Sequence, residues 1–219
     1  MPTRVAIVTN PSHDIATEYL YSWSQQIVAN VISQSISFDL HELKGNNVTK
    51  ENLTKLIEEK NPHLILFHGH GGNNRIFGFK TNILIACDDN EGLLINKIVH
   101  SLTCDSGEIL GPKCISIGTK AFIGYQKEFK FAHLWGKTDG QRQTDVLAGM
   151  FLGPAFEVNK AILEGNTVEL AYQRSQQMYV NNLQMLLTSP NPTVSKVYAS
   201  GLYHDMVNQV ALGNRNSSF

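Results

Sequence analysis

The feature that most constrains this chain is a set of short apolar runs, each stopped by a turn and most of them separated from the next by residues in helical rhythm. Val5 to Thr9 is largely β-branched and is halted by Asn10-Pro11-Ser12, and Leu64 to Phe67, Lys97 to Cys104 and Ala121 to Tyr125 are similar runs. Runs that stay apolar on both faces belong to strands buried on both faces, as in a parallel sheet covered by helices. From Ile15 the positions Tyr19, Leu20, Trp23, Ile27, Val28, Val31 and Ile32 recur at helical spacing and predict a long amphipathic helix. Ser37 to Leu43 alternates like a strand, and Thr49 is placed to cap a helix carrying Leu53, Leu56 and Ile57 that Asn61-Pro62 ends. Three strands joined by two helices predict right-handed crossovers and a mostly parallel sheet with helices on both faces. A chain of 219 residues fits one α/β domain, 1–219, with a substantial core.

Further along, Asn73 to Asn82 reads as a polar connection, Ile83 to Ala86 as another apolar stretch, and Asp88-Asp89-Asn90-Glu91 as a solvated acidic turn. That turn lacks the spaced ligands of a calcium loop. A short helix is expected around Leu110 to Ile117, ended by Gly118. Gln126 to Thr144 is long, polar and without periodicity, which marks a substrate-binding element rather than a linker. Helices follow from Asp145 to Leu163 and from Thr167 to Leu187. Ser189-Pro190-Asn191-Pro192 breaks the pattern, a short helix comes next, and Met206 to Leu212 is a last strand.

The formal net charge of −1 and a pI near 6.7 provide no basic field for nucleic acid or an anionic membrane. The opening run is too short for a signal-peptide core or a membrane span. Three cysteines, Cys87, Cys104 and Cys114, form no disulfide framework and fit a reducing compartment, so the expected location is cytoplasmic.

Two motifs carry chemistry. The run from Leu64 ends in Gly69-His70-Gly71-Gly72, and the run from Lys97 ends in Cys104-Asp105-Ser106-Gly107. In doubly covered parallel sheets, ligands sit beyond the carboxyl ends of the strands, where both His70 and Cys104 fall. A thiol with a pKa of about 8.5 is a weak nucleophile at neutral pH until a base takes its proton, and an imidazole can do so and later protonate a leaving amine. The glycines let the chain turn sharply, so that N–H groups at Gly71 and Cys104 can face an oxyanion. His68 is read as a packed neighbour of His70, His100 as a residue of the sheet, and Cys87 and Cys114 as core. His68 and His70 with Cys87 or Asp88 lack a convincing fourth metal ligand, so no metal and no cofactor are expected.

With the residues in this order, the chain resembles the caspase-like (clan CD) cysteine peptidases, most closely the bacterial CHAT group, and is related in pattern to caspases, gingipains, legumain and separase. Gly69-His70-Gly71 is similar to that group's Gly-His-Gly, and Thr103-Cys104-Asp105-Ser106-Gly107 to its Ala-Cys-acid-Ser/Thr-Gly, with Cys104 34 positions after His70. Such a spacing suits one helix-containing connection between adjacent strands. Gly118 to Gly124, Leu134-Trp135, Asp145, Phe151, Gly165-Asn166-Thr167 and Ala171 resemble later markers in the same order. The resemblance implies a caspase-hemoglobinase-like three-layer sandwich, Cys104 as nucleophile, His70 as base, and Gly71 with Cys104 as oxyanion donors. It implies a protein or peptide substrate and a role in bacterial defence or cell death, with control by a partner subunit, a zymogen-like loop or a separate cleavage.

Where relatives specific for basic residues carry an acid two positions before the cysteine, this chain has Leu102. The substrate side chain would therefore meet Leu102 and Trp135 if apolar, or Asp105, Asp139 or Asp145 if basic. Two other functions fit the sequence: a silent CHAT-like binding module, and a thiol hydrolase acting on a small amide or thioester.

Overall fold

The protein is described by a computed structural model covering residues 4–34, 36–188 and 192–219; side chains are described for these except Asp139 and residues 192–194. Its central sheet has the order β2-β1-β3-β7-β8-β9. The strands are β1 (Val5–Asn10), β2 (Asp39–Lys44), β3 (Leu64–His68), β7 (Ile98–Leu102), β8 (Ala121–Tyr125) and β9 (Gln209–Gly213). Pairing is parallel from β2 through β8, and β9 runs antiparallel to β8. The three-layer α/β arrangement expected from the sequence is the one found.

Strand alternation divides the core between two faces. Ala6, Val8, Leu66 and Ile123 pack against α1 (Ile15–Ser33), α5 (Val146–Leu163) and α6 (Val168–Leu187). Ile7, Phe67, Val99 and Phe122 pack on the other side against α2 (Lys50–Lys60) and α3 (Leu110–Ser116). Each wholly buried Leu, Ile or Phe in these clusters contributes roughly 1.5–3 kcal/mol, which makes the sheet the rigid part of the molecule. Helix α5 is long and apolar enough to span a membrane, but most of it is buried against the sheet and its neighbours, as expected of a core helix.

Caps fix where the helices begin. The Asp14 side chain accepts from Thr17 N–H at the start of α1, the Thr49 side chain from Asn52 at α2, and the Asp145 side chain from Leu147 and Ala148 at α5. Asn61 ends α2 in the left-handed conformation, ahead of Pro62.

Three sequence expectations change. The connection between β3 and β7 contains no α-helix; it folds into an antiparallel sheet of β4 (Gly71–Gly72), β5 (Arg75–Phe77) and β6 (Ile83–Ala86), followed by a 3-10 turn at Glu91–Leu94. This sheet buries Ile76, Leu84 and Ile85 on the same face as α2 and α3, so it covers the sheet where a crossover helix would lie. The long polar loop contains one short helix, α4 (Asp139–Arg142), and the helix expected to be short, α7 (Pro192–Asn208), runs for 17 residues. Residues 189–191 of the breaking segment lie outside the described residues.

Candidate active site

The register of β3 against β7 brings the two motifs together. His68 pairs with Leu102, and Gly69 N–H donates to the Leu102 carbonyl at 3.3 Å. Two residues past that pair lie His70 on one strand and Cys104 on the other, and both line a cavity of about 480 Å³ at the carboxyl edge of the sheet.

Glycines allow this close approach. Gly69 has φ +139°, and a Cβ there would lie 2.9 Å from Pro11 Cγ. At Gly71 a Cβ would come within 2.6 Å of Thr103 Oγ1 and 2.7 Å of the Cys104 carbonyl oxygen, so the histidine loop lies directly on the cysteine loop. Phe77 N–H donates to the His70 carbonyl, which makes Gly71 and Ile76 a non-hydrogen-bonded pair and leaves Gly71 N–H outside that ladder. The cysteine loop is fastened from behind: Asp105 takes a left-handed conformation (φ +58°), Ser106 Oγ donates to Ser101 Oγ at 2.9 Å, and Gly107 N–H donates to the Tyr125 carbonyl at 2.8 Å. A Cβ on Gly107 would lie 3.0 Å from the Tyr125 backbone, which accounts for the Asp-Ser-Gly sequence after the cysteine.

His70 Nε2 is 2.6 Å from Asp14 Oδ2. Burial raises the Asp14 pKa, but the Thr17 N–H and His70 bonds outweigh it and hold the carboxyl below its ordinary value. As a carboxylate, Asp14 accepts from Nε2–H and leaves Nδ1 as the ring nitrogen able to accept another proton. No sequence signal at Asp14 points to this role beyond its suitability as a helix cap, since 56 residues separate the partners.

Cys104 is half-buried, with Sγ 4.0 Å from the Phe129 carbonyl. Burial pushes its thiol up to about 11, Asp105, Glu128 and Asp205 add to the rise, and the Phe129 contact opposes it. Cys104 thus rests as a thiol and needs a base. The cavity walls are Leu20, Leu102, Phe129 and Phe131, with Glu128 and Lys130 also on the lining. Behind the wall, Asp205 of α7 accepts from Lys130 N–H through Oδ1, while Oδ2 is buried without a partner among the described residues. Burial drives its carboxyl up to about 8, so Asp205 is largely protonated at neutral pH.

The other candidates lie elsewhere. Asp145 is 1 % exposed, and its oxygens accept from Tyr19 OH, Leu134 N–H, Leu147 N–H and Ala148 N–H. Trp135 is 89 % exposed, edge-on to His133 and off the cavity lining. Asp105 is on the cysteine turn but not on the lining, and the Asp139 side chain is outside the described residues. In the acidic turn, Lys113 pairs with Asp88 and Lys50 with Asp89, each at 2.6 Å, while Glu91 accepts from the Asp88 and Asp89 N–H groups.

His68 is buried between the sheet and α5. Its Nδ1–H donates to Asn10 Oδ1, and Asn159 Nδ2 donates to its Nε2, each at 2.8 Å; Asn159 Oδ1 in turn accepts from His100 Nδ1–H. Burial depresses both imidazoles, His68 to about 3 with His100 contributing, and His100 to about 4 against the opposing Asn159 bond. Both are neutral structural groups.

No protein-family model matches the chain, and no curated protein is similar to it in sequence. Solved structures are similar in fold. The Arg-specific cysteine proteinase gingipain R (RgpB) matches with a TM-score of 0.58 at 13 % identity over 99 % of this chain, and the complex of the Porphyromonas gingivalis RgpB pro- and mature domains matches with 0.57 at 13 % over 98 %. This chain spans about half, 47 %, of each of those chains. An inactive zymogen C11 protease from Parabacteroides distasonis matches with a TM-score of 0.43 at 13 % identity, over 69 % of this chain and 55 % of its own. The fold is shared with gingipain R.

Proposed function

We propose that this chain is a caspase-like cysteine endopeptidase acting on protein or peptide substrates, with Cys104 as nucleophile and His70 as base. The observation that carries the reading is the single cavity lined by both His70 and Cys104, at the carboxyl ends of neighbouring strands in a fold shared with cysteine proteases. His70 Nδ1 accepts the thiol proton as sulfur attacks the scissile carbonyl, and Asp14 stabilises the imidazolium that forms. The N–H groups of Gly71 and Cys104 receive the oxyanion. The imidazolium returns its proton to the leaving amine, and water then hydrolyses the thioester with His70 again as base.

The apolar walls Leu20, Leu102, Phe129 and Phe131 favour a large apolar side chain at the residue before the cut. A role as an effector of a bacterial defence or cell-death system, regulated by a partner or by proteolysis, follows the CHAT resemblance alone.

A peptidyl acyloxymethyl ketone followed by mass spectrometry tests the chemistry. Wild type should carry the adduct on Cys104, Cys104→Ala should carry none, and terminal labelling of a digested proteome should show cleavage by wild type alone. Absence of both adduct and cleavage in folded wild-type protein would falsify the peptidase and favour a binding module; an adduct without peptide cleavage would point to a small-amide or thioester hydrolase.

A further inference from the structure

His70 borders a second cleft, of about 420 Å³, whose lining does not include Cys104; His13, Asp14, Phe77 and Lys80 also line it. Two imidazoles converge there on one carboxylate oxygen. Asp14 Oδ2 is 2.6 Å from His70 Nε2 and 3.5 Å from His13 Nε2, and one ligand atom from each of the three residues falls within 4.8 Å of the others.

The set is held from outside. Asp14 Oδ1 is occupied by Thr17 N–H at 2.8 Å and Thr17 Oγ1 at 2.9 Å, which leaves Oδ2 for the imidazoles. The His13 ring stands edge-on to Phe79, with centroids 5.3 Å apart, and its Nδ1 faces Lys80 N–H at 3.4 Å. The His13 side chain is only 13 % exposed, whereas Asp14 and His70 open to the cleft at 40 % and 44 %. The Lys80 ammonium lies over the Phe79 ring.

We propose that His13, Asp14 and His70 form an inhibitory site for a borderline divalent transition metal, Zn²⁺ foremost. Two imidazoles and one carboxylate with an open position for water suit Zn²⁺ and disfavour the all-oxygen cations Ca²⁺ and Mg²⁺. Binding takes the Nε2 lone pair, so the single proton of the neutral imidazole moves, by exchange with solvent, from Nε2 to Nδ1 with no net proton released. Nδ1, the nitrogen that would take the thiol proton, is then already protonated, so His70 cannot act as base while the metal is bound. The inhibitory consequence rests on the peptidase reading; the binding does not.

The test uses the full chain, with Zn²⁺ titrated by calorimetry and Co²⁺ as a visible-absorption probe. Wild type and Cys104→Ala should bind one metal equally and show the d–d bands of a low-coordinate nitrogen–oxygen site. His13→Gln, similar in size and a poor ligand, should weaken binding by more than the ~10–100-fold typical of losing an outer-shell partner, with an unchanged circular dichroism spectrum. In wild type, Zn²⁺ should block the Cys104 adduct and a chelator should restore it, while His13→Gln keeps adduct formation at higher Zn²⁺. Binding that survives His13→Gln, or that is lost in Cys104→Ala, overturns the site, as does no metal binding by a wild type that forms the adduct. Binding with the stated ligand dependence in a protein that never forms the adduct upholds the site and sinks only the peptidase.

Discussion

At the scale of single residues, the two neighbouring histidines have different environments, and this separates their roles. His70 opens to the cavity with one ring nitrogen on Asp14, while both nitrogens of His68 are committed beneath the sheet edge. His70→Ala should lower peptide hydrolysis by roughly two to four orders of magnitude, the range for a general acid–base, and His68→Ala should act mainly on stability. Turnover per folded molecule, measured for both variants, checks this; the reverse ranking would place the base at His68. The cavity wall makes a second prediction. A positional scanning library should show preference for Leu or Phe before the cut. Preference for Arg or Lys that disappears in Glu128→Gln would instead assign the specificity to Glu128, the carboxylate on the lining.

Among the elements, the start of α5 is where one side chain holds most. Asp145 caps the helix and also receives the Tyr19 hydroxyl and the Leu134 N–H, tying the 126–144 loop to α1 and α5. Burial raises the Asp145 pKa, but its hydrogen bonds, led by that from Tyr19, leave it below the ordinary value. Asp145→Ala removes the cap, takes the acceptor from Leu134 N–H and leaves the Tyr19 hydroxyl only its 3.4 Å bond to the Leu134 carbonyl, and should cost about 2–4 kcal/mol in denaturant unfolding. If Asp145 instead recognised a basic substrate, Asp145→Asn would change the library profile with little loss of stability. Asp14 and Asp145 both cap helices in the structure, and nothing local distinguishes the one that faces His70 from the one that does not.

For the whole molecule, buried ionisable groups set a pH optimum. His68 and His100 are neutral when folded, with pKa values near 3 and 4, so below about pH 6.5 the unfolded chain binds more protons than the folded one and stability falls with pH. Asp205 works against them. Its folded pKa near 8 means the folded state holds a proton the unfolded state has lost above about pH 4, a contribution that disappears as pH rises through 8. The net is one excess proton in the unfolded state between about pH 4.5 and 6, a loss of up to ~1.4 kcal/mol per pH unit on acidification. From pH 6.5 to 8 the slope reverses. Asp205→Asn, which keeps the acceptor for Lys130, should roughly double the acid-side slope and flatten the alkaline side in urea midpoints measured across this range; an unchanged profile would refute the protonated Asp205.

The sequence by itself determined the strands of the central sheet, most of the helices and the two motifs, because these depend on local periodicity, caps and turn residues: Val5–Asn10, Lys50–Lys60 capped by Thr49, and Val146–Leu163 fall where apolar spacing and caps place them. It also placed His70 and Cys104 at strand ends. Only the tertiary structure decided what surrounds them, because those contacts join residues far apart in the chain. The β3–β7 register sets His70 beside Cys104, the turn before α1 brings Asp14 and His13 to His70, and the segment after β8 lays Phe129 and Phe131 along the cavity. Of the β4–β6 sheet only β6 showed, as the apolar stretch Ile83–Ala86; β4 and β5 are two and three residues long, too short to show a period, and exist because the three strands pair with one another and cover Ile76, Leu84 and Ile85.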